Sequence, residues 1–267
     1  MKYQCHEINT LVVGTGCAGY NAADWLYDLK VPVMIVTEGR KMGTSRNTGS
    51  DKQTYYKIAL TADNKDSIGE MTDTLADGIG VHGDLALIEA ANSLKCFYKL
   101  VNLGVPFPTN EYGEYVGYKT DHDPKQRATS AGPLTSKYMT ECLEESVKRK
   151  KISVLDHITI IKIITKDGKV AGALGVDKGN EFHLFSCQNL ILATGGPAAV
   201  YKDSVYPASQ SGMTGIALEA GARADNLQEW QYGLASVKFR WNVSSIERLA
   251  SERGMTKQAA SFKAIQK

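Results

Sequence analysis

The hexapeptide Gly14-Thr15-Gly16-Cys17-Ala18-Gly19 constrains this chain more than any other feature, because of what lies on either side of it. Ile8 to Val13 reads as a buried strand, and Ala18 to Lys30 as a helix with Ala22, Ala23, Leu26 and Leu29 on one face. Val33 to Val36 is a second short strand, so a βαβ unit begins near the N-terminus and implies a parallel sheet covered by helices. A strand that passes through a glycine turn into a helix aims unobstructed backbone N–H groups at one point, which suits a pyrophosphate. Glu38, at the end of the second strand, has the spacing from Gly19 expected of the acid that binds ribose hydroxyls. The plain alternatives are a turn that serves only helix–strand packing and a solvated loop carboxylate.

From Gly39 to Lys57 the chain is polar and glycine-bearing, too long for a tight connection, and is read as a functional loop. Helices are predicted over about Asp66 to Gly78 and Asp84 to Leu103. The second carries Leu85, Ile88, Ala91, Leu94, Tyr98 and Val101 at helical spacing, with Gly104 closing it. Val105 to Ala131 is loop and Pro133 to Lys150 helix. Ile152 to Leu155, Ile158 to Thr165, Val170 to Val176 and Glu181 to Ser186 read as an antiparallel meander, turning at Lys166-Asp167-Gly168 and Lys178-Gly179-Asn180. Asn189 to Gly196 is a buried strand ending in a glycine turn; a helix over Met213 to Gly221 and a strand over Ala222 to Asn226 follow.

With 267 residues, 43% of them apolar, the chain can bury a full core, and its net charge of +2 without a basic block argues against a nucleic-acid partner. Five cysteines without a CxxC pair suggest no disulfide framework and fit a reducing cytoplasm. No run of about 18 apolar residues is present, so no transmembrane segment is expected. An acid at position 38 repels a 2′-phosphate and disfavours NADP, but the glycine turn alone does not separate the other dinucleotides. An NAD-binding dehydrogenase domain is therefore one reading. The other rests on the order of elements, in which a polar loop, helices and a meander precede Ala193-Thr194-Gly195-Gly196.

That order, together with Gly14 to Gly19, Glu38, Thr44 to Ser50, Ala193 to Gly196 and Ile216 to Ala222, resembles a family of FAD-dependent oxidoreductases. It contains the fumarate reductase and succinate dehydrogenase flavoprotein subunits, L-aspartate oxidase and 3-ketosteroid dehydrogenases. The resemblance extends over about Ile8 to Val243. It implies an α/β, Rossmann-like FAD-binding domain with a parallel sheet and an inserted antiparallel β-meander. Gly14, Gly16, Cys17, Ala18, Gly19 and Glu38 would hold the ADP half of FAD. Thr44, Ser45, Asn47 and Gly49 would line the pyrophosphate and flavin, and Ala193, Thr194 and Gly195 would approach from the returning strand. The activity implied is hydride transfer between FAD and a small organic substrate.

Members that attach FAD covalently carry a histidine after the serine of this loop; here Arg46 follows Ser45, which implies non-covalent FAD. Arg46 is read either as offsetting diphosphate or flavin charge or as facing solvent. The motif ending in glutamine, aromatic, histidine, proline reads Gln231-Tyr232-Gly233-Leu234, which argues against a dicarboxylate substrate, and TGDG reads Ser211-Gly212-Met213-Thr214-Gly215. Residues 1–235 are taken as the N-terminal part of the FAD-binding domain and 236–267 as a polar, helix-prone tail; from Ser244 the resemblance is expected to end. The resembled enzymes continue into a capping domain and a returning segment that supplies an arginine acid, so a complementing C-terminal polypeptide is expected. A non-catalytic fragment is the alternative, and no catalytic residue is assigned. Cys17 is read as a small packed residue rather than a thiolate, Asp121-His122-Asp123 as a solvated loop rather than a metal site, and Tyr112, Tyr115 and Tyr118 as surface or core packing residues rather than base-stacking platforms.

Overall fold

The computed structural model describes residues 3–49, 53–60, 65–77, 81–120, 123–196, 210, 212–224 and 227. Strand β1 (Tyr3–Val13), helix α1 (Cys17–Asp28) and strand β2 (Val33–Val36) form the expected unit. Then come α2 (Thr44–Asn47), β3 (Tyr55–Tyr56), α3 (Ile68–Ala76), α4 (Gly83–Asn102), β4 (Ala128–Thr129) and α5 (Thr135–Arg149). The chain continues through β5 (Ser153–Leu155), β6 (Ile158–Lys166), β7 (Lys169–Asp177), β8 (Phe182–Leu192) and α6 (Thr214–Glu219).

One six-stranded sheet has the order β5-β2-β1-β8-β7-β6, and β3 pairs with β4 in a separate ribbon. The first four strands are parallel, whereas β7 runs antiparallel to both β8 and β6. This is the expected α/β architecture, with three differences of detail. The segment counted as the meander's first strand is β5, which pairs parallel with β2 instead. The segments Glu181 to Ser186 and Asn189 to Leu192 are one strand: His183, Phe185 and Cys187 point inward while Ser186 and Gln188 point out, so those polar residues mark the outer face and not a break. The first strand begins at Tyr3, because Tyr3 to Ile8 pair with Phe182 to Cys187, and His6 stacks on Phe185 at 4.7 Å.

The Asp167-Gly168 hairpin is as expected, both residues taking positive φ (52° and 73°). Val12, Tyr20, Ala23, Ile35, Phe97, Leu143 and Val147 form the core between the sheet and α1, α4 and α5. Leu11 and Val13 alternate to the opposite face, where they meet Val36, Ile158, Ile160, Ala173 and Phe185. The buried stripe of α4 is Ala86, Ala90, Ser93, Phe97 and Leu100, one residue round from the expected one; Leu85, Ile88 and Tyr98 are exposed. The first half of α4 is apolar nearly all round, so its spacing cannot choose a face. Phe97 chooses it by packing against Tyr55, Phe107 and Tyr115, with ring centroids 4.8–5.6 Å away. Ala222 to Ala224 form no strand, and the remainder of that expected strand, the Gln231 to Leu234 motif and the 236–267 tail lie outside the described residues.

Candidate functional site

The parallel half of the sheet presents the C-terminal ends of β1, β2 and β8 at one edge, and the glycine turn sits there. Gly14 N–H donates to the Val36 carbonyl at 2.9 Å, and Ala193 N–H to the Val13 carbonyl at 2.8 Å, so turn, second strand and returning strand are pinned together. A side chain at Gly14 is excluded twice, by φ of +111° and by the Ala193 carbonyl oxygen, 2.4 Å from where a Cβ would sit. Gly19 packs α1 on β1: its Cβ would lie 2.0 Å from the Gly14 oxygen. Gly43 brings the following loop onto the turn, since a Cβ there would meet Gly16 Cα at 3.3 Å.

These elements enclose a cleft of about 890 Å³. Of the residues singled out from sequence, Gly14, Gly16, Cys17, Ala18, Glu38, Thr44, Ser45, Ala193, Thr194 and Gly195 line it. Three do not. Gly19 supports the turn from behind, Asn47 donates to the Lys41 and Gly43 carbonyls at 2.6 and 2.9 Å, and Gly49 lies against Pro133 and Leu134. Val13, Thr15, Gly39, Met42, Gly43, Leu192, Gly212, Met213 and Ile216, which lie in segments the sequence singled out without naming them as contacts, also line it, and the sequence reading missed Thr37, Gln210 and the stretch Ile158 to Ile161 of β6. Thr15 and Thr37 are buried with their hydroxyls 2.9 Å apart; the Gly39 N–H donates to the Thr37 hydroxyl at 3.3 Å. That pair ties the glycine turn to the residues flanking Glu38, whose own side chain is exposed at the rim. Their position beside the motif was the available signal.

Burial pushes the Cys17 thiol up to about 11, so it stays neutral, as the small-residue reading expects. Its backbone N–H, at the start of α1, donates to Ser45 Oγ at 2.8 Å. Arg46 takes neither position considered from sequence. It is turned into α5, where Nη1 is 3.2 Å from Glu141 and Nη2 pairs with Glu144. Asp123 is likewise not solvated but buried beside Arg127, while Asp121 and His122 lie outside the described residues. Among the described residues no cluster of three or more His, Cys, Asp or Glu could hold a metal ion, and no helix is long and apolar enough to cross a membrane. Tyr115 packs edge-on against Phe97 at 5.1 Å.

Arg127 was not foreseen at all. Its side chain is fully buried; Nε and Nη2 donate to the Asp66 carboxylate at 2.8 and 2.6 Å, and Nη1 donates to Thr74 at 2.8 Å and Tyr56 at 3.2 Å. Burial alone would raise the Asp66 pKa, but these bonds and the N–H groups of Ala59 and Ser67 outweigh it and hold the carboxyl below its ordinary value. The network fixes α3 and the β3–β4 ribbon beside the loop that enters the cleft. Nothing in the spacing of Asp66 and Arg127 signals the pairing.

A backbone cradle that tolerates no Cβ, a helix start, hydroxyls at Thr44, Ser45 and Thr194, and an acid at the rim form a donor and acceptor set that fits the ADP moiety of FAD. Comparison with known proteins agrees. The chain is 27% identical over 265 residues to a polypeptide of the fumarate reductase (CoM/CoB) of Methanothermobacter marburgensis, covering 96% of this chain and 48% of that protein. It is 28% identical over 247 residues to L-aspartate oxidase of Vibrio cholerae, covering 85% and 44%. The chain thus spans less than half the length of these relatives. Its fold matches the apo form of the Mycobacterium smegmatis Sdh1 complex with a TM-score of 0.72 at 23% identity, over 81% of this chain and 39% of that one. The sequence pattern of the FAD binding domain matches residues 9–261, taking in the stretch beyond Ser244 that the resemblance was expected to exclude. With the glycine cradle, Glu38 and the returning strand in one cleft, and a match over nearly the whole length, the chain belongs to the FAD binding domain family and its cofactor is FAD.

Proposed function

We propose that this chain is the FAD-binding part of a flavoprotein oxidoreductase of the fumarate reductase and L-aspartate oxidase type, passing hydride between a small organic substrate and the flavin. The observation that carries it is the cleft, in which the glycine turn, Glu38 and Ala193 to Gly195 converge. Bound FAD supplies the two-electron acceptor. The chain's own residues would bind and orient it: the N–H groups of Thr15, Gly16 and Ala18 are left for the diphosphate, since those of Gly14 and Cys17 are taken by Val36 and Ser45, Glu38 would accept from ribose hydroxyls, and the Ser45 and Thr194 hydroxyls line the same cleft. Orienting the substrate and delivering a proton are assigned to a complementing C-terminal polypeptide, whether it continues the chain or is separate. Gly233, at the position of the family histidine, argues against a dicarboxylate substrate. Five free cysteines support a cytoplasmic setting.

The test is a titration of apo protein with FAD, followed by the visible flavin spectrum. Glu38→Ala is expected to weaken binding by about 1.5 to 3 kcal/mol, the worth of hydrogen bonds to a charged group. An unchanged dissociation constant would remove Glu38 from the site. Attachment is proposed to be non-covalent, because the residue after Ser45 is an arginine held by α5. Flavin is therefore expected to leave on acid or heat denaturation, and a fluorescent protein band in a denaturing gel would contradict it.

A further inference from the structure

Arg46 stands beside a cofactor-contacting serine yet points out of the cleft, into α5. Its side chain is nearly buried, held by Glu141 at 3.2 Å and by Glu144, and Lys148 holds the far oxygen of Glu144 at 3.2 Å. The loop it belongs to is also tied to itself, by Asn47 on the Lys41 and Gly43 carbonyls and by the Thr48 hydroxyl on the Thr44 carbonyl at 2.8 Å. A short rigid segment anchored at one side chain cannot shift its neighbour independently. That neighbour, Ser45, brings its Oγ to the first N–H of α1 at 2.8 Å and to 3.0 Å of where a Gly16 Cβ would be. Because the Ser45 oxygen accepts from Cys17, its proton is left to donate, and no acceptor for it is found among the described residues. A hydroxyl in that state, at a helix start bordering the cleft, is a ready donor to an anionic oxygen.

We propose that Arg46 is a positioning residue for FAD: by anchoring α2 to the α5 carboxylates, it holds the Ser45 hydroxyl where it donates to the diphosphate. This deepens the FAD reading and rests on it. The experiment is a double-mutant cycle on the whole chain with Ser45→Ala, Arg46→Met and the two combined, each titrated with FAD after its fold is checked by circular dichroism. Ser45→Ala and Arg46→Met are each expected to weaken FAD about tenfold, as loss of one charge-assisted bond does, and the combined variant no further than either alone. A merely structural arginine would lower stability without this coupling. Where Arg46→Met fails to fold, Arg46→Lys keeps a charge for Glu144 but cannot span both carboxylates, and is expected to loosen FAD through the same coupling with Ser45→Ala. Wild-type affinity in the folded Arg46 variant, or losses that multiply with those of Ser45→Ala, would overturn the proposal. Failure of the wild-type chain to bind FAD would instead overturn the cofactor reading itself.

Discussion

Gly19→Ala is expected to lower the unfolding free energy by about 3 kcal/mol, the upper part of the usual range for overpacking, and to weaken FAD roughly a hundredfold. The added Cβ would lie 2.0 Å from the Gly14 oxygen and 2.9 Å from its carbonyl carbon. Neither atom can yield, because Gly14 is pinned to β2 through its own N–H and wedged against Ala193. Relief requires α1 to lift from β1, which withdraws the Ala18 N–H from the cleft and strains the Cys17 N–H bond to Ser45. Urea unfolding of the apo protein measures the first effect and a flavin titration the second. A variant with wild-type midpoint and affinity would show that α1 has slack the geometry denies.

Arg127→Met is expected to cost about 3 to 5 kcal/mol, since it strands the buried Asp66 carboxylate, and Asp123 beside it, without a counter-charge. The pair also sets an acid limit. The Asp66 pKa is lower in the folded chain than in the unfolded one, so its contribution is complete above the ordinary carboxylate value and disappears as pH falls through the depressed folded value. Asp66→Asn should therefore lower stability at neutral pH and shrink the loss on acidification. Denaturant midpoints measured at neutral and acid pH check both, and an Arg127→Met chain within 1 kcal/mol of wild type, roughly the size of an ordinary surface change, would refute the argument.

The glycine turn, Glu38 and the first βαβ unit were legible because backbone geometry there admits few residue types, and sequence records that restriction directly. The course of β8 was not, since a strand with one exposed face breaks its apolar run with Ser186 and Gln188 as a loop does. Register failed on α4 for the opposite reason: too many apolar residues left the face undetermined until the Phe97 cluster fixed it. Pairings such as Arg127 with Asp66, or Arg46 with α5, depend on elements far apart in the chain. No local pattern reports them, and so the cofactor's cradle could be read while its supports could not.

The partnership of β1 with β8 also governs how the chain is made. Asn9 and Gln188 hydrogen-bond across a separation of 179 residues. At a synthesis rate of about 5 to 20 residues per second, on the order of ten to forty seconds separate the emergence of one from that of the other. During that interval β2 covers one side of β1, while the other side remains an open edge able to accept a wrong strand. The returning residues that close the nucleotide cleft arrive directly behind β8, so the cleft's lining is incomplete until the sheet is whole. FAD is thus expected to bind the finished sheet and not its precursor, and flavin that binds only the complete fold shifts the equilibrium toward it by mass action.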